Sequence, residues 1–160
     1  MRDAAMDPIV AIGGVPGMLA VPTIADRYPG EGPLGAVATA ATFARTGWIV
    51  TATCDLALIQ ASTFTDLIRA IDSTSPDTAV VASIDGQPQI SVGCWPATWA
   101  RSIHVAVRSG ERRFRHLLTL GPVTLVEVPA DQLQDADDEA TLARLWGAAG
   151  VMADPASPEA

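Results

Sequence analysis

Apolar positions along this chain follow two rhythms, short runs rich in Ile and Val and longer stretches at helical spacing. Residues 8–14, "PIVAIGG", form a short apolar run closed by glycines, which predicts a buried strand. In "LGAVATAATFARTG", Leu34, Val37, Ala38 and Ala41 recur on one face, which predicts a helix with Gly47 as its stop. "WIVTATCD", residues 48–55, is β-branched and predicts a second strand ending on an acidic residue. "STFTDLIRAID" predicts a helix in which Phe64, Leu67, Ile68 and Ile71 share an apolar face, and Thr63 with Asp66 has capping-box spacing. "TAVVASI", residues 78–84, predicts a third strand, "DGQP" a turn, and "QISVGCW" the returning strand of a hairpin.

Pro96 suits the first position of a helix running to about Arg108, with Trp99, Ile103 and Val107 inward. "ERRFRHLLTLG" predicts another short helix and "VTLVEV" a further strand. "DDEATLARLWGAAG" predicts the last helix, acidic at its start and with Arg144 further on, as the helix dipole prefers. Residues 151–160, "VMADPASPEA", read as a disordered tail. The alternation of strands and helices predicts one α/β domain over residues 1–150. Its mostly parallel sheet is covered on both faces, giving three layers, with one antiparallel strand near residues 86–95. Ligands then belong at the carboxyl ends of the strands.

Composition narrows the function classes. A chain of 160 residues, 49% hydrophobic and 18% charged, is long enough for one domain with a real core. Its apolar runs are too short to span a bilayer, and "MRDAAMDPIV" lacks a signal-peptide core, so no membrane partner and a cytoplasmic location are expected. Cys54 and Cys94 stand far apart with no CxxC pairing, which fits neither a disulfide framework nor a zinc site. A net charge of −8 argues against nonspecific nucleic-acid binding. All 10 basic residues are arginine, which excludes Schiff-base lysines, the P-loop lysine and the receiver domain's late-strand lysine.

The strand ends carry the candidate chemistry. After the first strand come Gly13 and Gly14, then Asp26 and the loop "YPGEGPLGAVATA"; after the second comes Asp55; before the last helix comes "DADD", residues 135–138. A glycine-rich loop opening a helix suits a phosphate, and equally a tight turn with nothing bound. Carboxylates beside it suit a Mg²⁺–nucleoside triphosphate, whereas Asp55 and Asp138 also suit helix caps. Arg108, Arg112, Arg113 and Arg115 form the one basic cluster, either an anchor for an anionic substrate or a solvated helix face. His104 and His116 have no partner in the sequence pattern and read as helix-surface residues. Trp48, Trp95, Trp99 and Trp146 stand among apolar neighbours and read mainly as core.

The segments "ADRYPGEGPLGAVATA", "VTATCDLALI", "IDGQPQISVGCW", "GERRFRHLL" and "DADDEATL" occur in that order. Together they resemble the molybdenum cofactor guanylyltransferases and the wider MobA-like nucleotidyltransferases. The resemblance covers about residues 8–145 and implies a Rossmann-like nucleotidyltransferase fold. It also implies a reaction, transfer of a nucleoside monophosphate, with GTP as the usual substrate and Mg²⁺ as cofactor, to a phosphate on molybdopterin. Carried over residue by residue, it implies Asp55 and Asp137 at the metal. It implies Asp26, Gly13, Gly14, Gly30, Gly32, Pro33, Leu34 and Gly35 at the nucleotide. Arg112, Arg113 and Arg115 are the candidate contacts to the anionic acceptor.

The chain also departs from the family pattern. The family opens with a strand and an L-A-G-G-x-S-x-R-M-G-x-D-K loop, whereas this chain opens at the second strand, with "AIGGVPGM" lacking the lysine. Leu56 and Ala57 follow Asp55 where the family's C-D-x-P has a proline at the second of these positions, and Gln89-Ile90 stands where Q-P is usual. Two readings stand open: an N-terminally truncated nucleotidyltransferase, or a degenerate, inactive nucleotide-binding or partner module. Either raises the expectation of a homo-oligomer, or of a partner chain that supplies the lost strand.

Overall fold

The computed structural model describes residue 6, residues 8–17 and residues 20–149. Strands β1 (Ala11–Ile12) and β2 (Thr23–Ile24) pair in parallel as a sheet of their own. The main sheet has the order β3-β5-β4-β6, from β3 (Trp48–Ala52), β4 (Ala79–Ile84), β5 (Gln87–Pro96) and β6 (Val123–Glu127). β4 and β6 run parallel, and β5 runs antiparallel to both β3 and β4. The antiparallel strand expected near residues 86–95 is therefore β5, and it lies inside the sheet.

The β4–β5 turn follows from its two residues. Asp85 and Gly86 have φ of 50° and 71°, the left-handed pair that an Asp-Gly hairpin turn requires. Glu127 on the neighbouring strand fastens the turn: its carboxylate accepts from Ser83 Oγ at 2.7 Å and from the Asp85 and Gly86 N–H groups.

Side-chain alternation along the strands builds a core on each face. Ala79, Val81 and Trp95 pack with Leu34, Val37 and Ala38 of α1 (Gly32–Ala41) and with Ile103 and Val107 of α3 (Ala100–Arg108). Val80, Ala82, Val92 and Cys94 face the other way, onto Phe64 and Leu67 of α2 (Ala61–Ile71), with Leu56, Val128 and Leu133. Coverage on both faces explains why β4 is a continuous apolar run rather than an alternating one. Helix α1 packs against both β1 and β3. Residues 47, 49, 51 and 53 turn their backbone groups to β5, as shown by Thr53 N–H to Ser91 O and Ala97 N–H to Gly47 O. Trp48, Val50 and Ala52 turn theirs to the opposite edge.

Several local expectations are corrected. Helix α1 stops at Ala41, well before Gly47. Pro96 belongs to β5, opposite Trp48, and a 3₁₀ turn over Ala97–Trp99 precedes α3. Residues Phe114–Thr119 form a 3₁₀ rather than an α helix. No capping box forms on α2, because Gln60 is its N-cap, without a side-chain bond. Asp66 pairs instead with Arg69 at 3.5 Å, and Thr63 turns inward. Strand β2 and the 3₁₀ turn Ala130–Leu133 had no clear sequence signal. The last helix, α4 (Glu139–Ala148), is capped by Asp138, whose carboxylate accepts from Thr141 N–H at 2.6 Å. The tail, residues 151–160, lies outside the described residues. Among the described residues, no helix is long and apolar enough to cross a membrane.

Candidate functional site

A cleft of about 200 Å³ opens at the carboxyl end of β3. Thr53, Asp55 and Leu56 line it from β3's exit, Gln89, Ile90 and Ser91 from β5, Phe114 from the 3₁₀ helix, and Leu133 and Asp135 from the segment before α4. A backbone bridge joins its acidic walls. Leu56 and Asp135 form an isolated antiparallel bridge, and Ala136 N–H donates to the Asp55 carbonyl at 2.9 Å. The Asp55 and Asp135 side chains are exposed there, and among the described residues neither carboxylate has a hydrogen-bond or ion-pair partner. Asp137 is exposed but does not line the cleft, and Asp138 is occupied as a helix cap. Asp55 caps no helix, since the next one begins on Gln60.

Among the described residues, no group of three or more His, Cys, Asp and Glu side chains gathers to hold a metal. The cleft offers two hard oxygen donors. Mg²⁺ typically takes only one or two protein carboxylates, completing its shell with phosphate oxygens and water, so Asp55 and Asp135 fit it.

The glycine-rich loop is a built structure. Gly30 and Gly32 adopt φ of 81° and 67°. Gly35 is fixed by space, because a Cβ there would lie 3.0 Å from both the Glu31 and Tyr28 Cβ atoms. Leu34 is wholly buried in the core, so Leu34 and Gly35 support the loop from beneath, and Gly30, Gly32 and Pro33 present its surface. Asp26 Oδ1 accepts from Tyr28 N–H at 2.9 Å and from Thr39 Oγ at 2.7 Å, while Thr39 Oγ accepts from Arg27 N–H. Asp26 thus ties the loop to α1. Gly13 lies against it, since a Cβ at that position would sit 3.8 Å from Asp26 Cβ, and Gly14 beyond is exposed.

Residues 112–114 connect loop and cleft. Arg112 Nε pairs with Glu31, and Arg112 Nη1 donates to the carbonyls of Val107 and Glu111 at 3.1 and 3.0 Å. Two residues on, Phe114 lines the cleft and packs on Trp95 with ring centroids 6.2 Å apart. Arg113 is bound to Glu111 at 2.6 Å, and its hydrogen bond pulls the Glu111 carboxyl down to about 2. Of the arginines expected at an anionic substrate, Arg112 and Arg113 are therefore engaged within the chain, and Arg115 is exposed and has no partner among the described residues.

The histidines also have partners, contrary to expectation. Tyr28 OH lies 3.0 Å from His104 Nδ1, and burial, then Arg27 and Arg108, lower the His104 pKa. His116 Nδ1 stands 3.6 Å from Glu111. Trp95 is fully buried, its Nε1–H donating to Thr51 Oγ at 2.8 Å, so it has no face for a ligand. Thr53, Ser91, Phe114 and Leu133 were missed as site residues, because only the β3–β5 register and the return of residues 130–135 bring them together.

Open α/β sheets bind ligands beyond the carboxyl ends of their strands, which is where these carboxylates lie. A family model described as the MobA-like NTP transferase domain matches residues 1–128, and the chain belongs to that family. It is 30% identical over 115 residues to a molybdenum cofactor guanylyltransferase from Rhizobium johnstonii, a match covering 68% of this chain and 54% of that one. The chain thus spans about half the length of that relative. Among solved structures it resembles molybdopterin-guanine dinucleotide biosynthesis protein A from Archaeoglobus fulgidus, with TM-score 0.67 and 17% identity over 84% of this chain and 71% of that one. A protein from Aquifex aeolicus has TM-score 0.61 and 17% identity, over 74% of this chain and 63% of that one. At that identity, both structures speak for the fold alone.

Proposed function

We propose that this chain binds a Mg²⁺–nucleoside triphosphate, with GTP as the expected nucleotide, and transfers the nucleoside monophosphate to a phosphate on a molybdopterin-type acceptor. The observation that carries the reading is that two carboxylates without a partner among the described residues, Asp55 and Asp135, line one cleft at the end of β3. These two side chains would hold Mg²⁺, which would supply charge neutralisation for the reacting phosphate oxygens. An acceptor phosphate oxygen attacks the α-phosphorus, the bond to the bridging oxygen breaks, and pyrophosphate leaves. The chain's own share is positioning. Gly30, Gly32 and Pro33, with Gly13 and Gly14, present backbone to the nucleotide. Ile90 and Phe114 form an apolar wall for a flat acceptor ring, with Gln89 and Ser91 as polar contacts. The name of the Rhizobium relative supports the choice of nucleotide and acceptor.

One observation favours a second reading, nucleotide binding without transfer. Among the described residues, the cleft lining contains two carboxylates and no cation, and Arg112 and Arg113 are engaged elsewhere. Groups that neutralise the leaving pyrophosphate act mainly on rate, so their lack would slow transfer more than binding. Calorimetric titration with Mg²⁺–GTP tests the site: wild type binds and Asp55→Ala does not. Equal binding by the two proteins refutes the metal assignment. Pyrophosphate release from GTP plus molybdopterin above a no-protein control, lost in Asp55→Ala, supports transfer; binding without release selects the second reading.

A further inference from the structure

Thr63 in the first turn of α2 is 2% exposed, and its hydroxyl donates to Oε1 of Gln132, which is 8% exposed. It is a buried bond between side chains 69 residues apart. Gln132 sits in the 3₁₀ turn Ala130–Leu133, whose next residue, Leu133, lines the cleft and packs with Leu56 and Phe64. Two residues further is Asp135, bridged to Leu56. The segment carrying the second carboxylate is therefore anchored to α2 immediately before it enters the site.

We propose that Thr63 and Gln132 are positioning residues that hold the Asp135 carboxylate beside Asp55 for a divalent cation. The inference rests on the proposed role of that pair. A cation held by both carboxylates needs both at fixed positions, so the segment that carries Asp135 has to be held in one arrangement. The Leu56–Asp135 bridge and the Ala136–Asp55 bond join backbone to backbone at the exposed rim. The Thr63–Gln132 bond is the polar tie in the dry layer beneath. Displacing the segment would strand a buried amide oxygen, which is costly, so the bond restricts residues 130–135 to one arrangement. Partners that orient metal ligands in this way typically govern affinity by about 10–100-fold.

The test is Mn²⁺ binding to the full chain, followed by electron paramagnetic resonance, alongside thermal melts. Thr63→Val keeps the shape, removes the hydroxyl and should weaken Mn²⁺ about tenfold. Thr63→Ser should restore the affinity. In Thr63→Val with Gln132→Leu, both polar partners are gone, so stability should return toward wild type. Affinity should stay low, which a merely structural role does not predict. Asp55→Asn is the control for the site. Wild-type Mn²⁺ affinity in Asp55→Asn overturns the carboxylate-pair reading and this inference with it. Loss in Asp55→Asn, but wild-type affinity in Thr63→Val and in the double variant, overturns the inference alone.

Discussion

The guanidinium of Arg112 pairs with the carboxylate of Glu31, joining the end of α3 to the residue that precedes α1. The same guanidinium donates to the Val107 and Glu111 carbonyls, so one side chain braces the segment that follows α3 and fixes the entrance of the glycine-rich loop. The pair is partly exposed, with side chains 43% and 30% accessible, which limits its worth.

Arg112→Ala is therefore expected to lower stability by about 1 kcal/mol in urea denaturation. Arg113 is 81% exposed, and Arg113→Ala should melt close to wild type. Equal effects from the two would return both arginines to a solvated surface cluster.

The carboxylate pair makes a residue-level prediction. Asp135→Asn should weaken Mg²⁺-dependent GTP binding about tenfold or more, as Asp55→Asn should, while Asp137→Asn leaves it unchanged. Calorimetry on the three variants decides which acidic residue of "DADD" serves the site; loss in Asp137→Asn alone would reverse the assignment.

Three carboxylates predict acid sensitivity. Hydrogen bonds from Arg113 hold Glu111 at about 2; the Ser83 hydroxyl lowers Glu127, and the Thr141 N–H lowers Asp138. Folded pKa values below the unfolded ones, about 4.3 for Glu and 3.9 for Asp, mean that the stabilisation is fully present above those values. It is lost as pH falls through about 4 toward 2. Melting temperature should decline gently below about pH 6.5, where His104, with its pKa lowered in the fold, takes up a proton, and drop more steeply below about pH 5; Glu111→Gln should make that steeper drop shallower.

Gly93 is a packing requirement. A Cβ there would sit 2.8 Å from Trp95 Cζ2, and Trp95 is held by Thr51. Gly93→Ala should cost about 1–3 kcal/mol, read as a lower melting temperature; an unchanged melt would mean that the Trp95 ring moves freely.

The two thiols should differ in reactivity. Cys94 is buried and its thiol is pushed up to about 12, whereas Cys54 is exposed. Iodoacetamide at pH 8 should give one adduct on the native protein and two in urea, counted by mass spectrometry.

What the sequence determined by itself was local and periodic. The apolar runs of β3, β4, β5 and β6, the face of α2, the Asp-Gly turn and the Asp138 cap were legible, because each depends on residues a few positions apart. The ordered glycine-rich and acidic segments were also enough to indicate the family, as the match to residues 1–128 shows. Tertiary structure alone decided which polar groups are free and which are spent. Arg112 and Arg113 look like anion anchors in the sequence, but Glu31 and Glu111 occupy them. Asp26 looks free, but Thr39 and the Tyr28 amide bind it. Asp135 rather than Asp137 reaches the cleft, because the bridge to Leu56 sets the register of a segment about 80 residues downstream of β3. Such pairings depend on the path of the chain between distant segments, and no spacing rule within one segment encodes them.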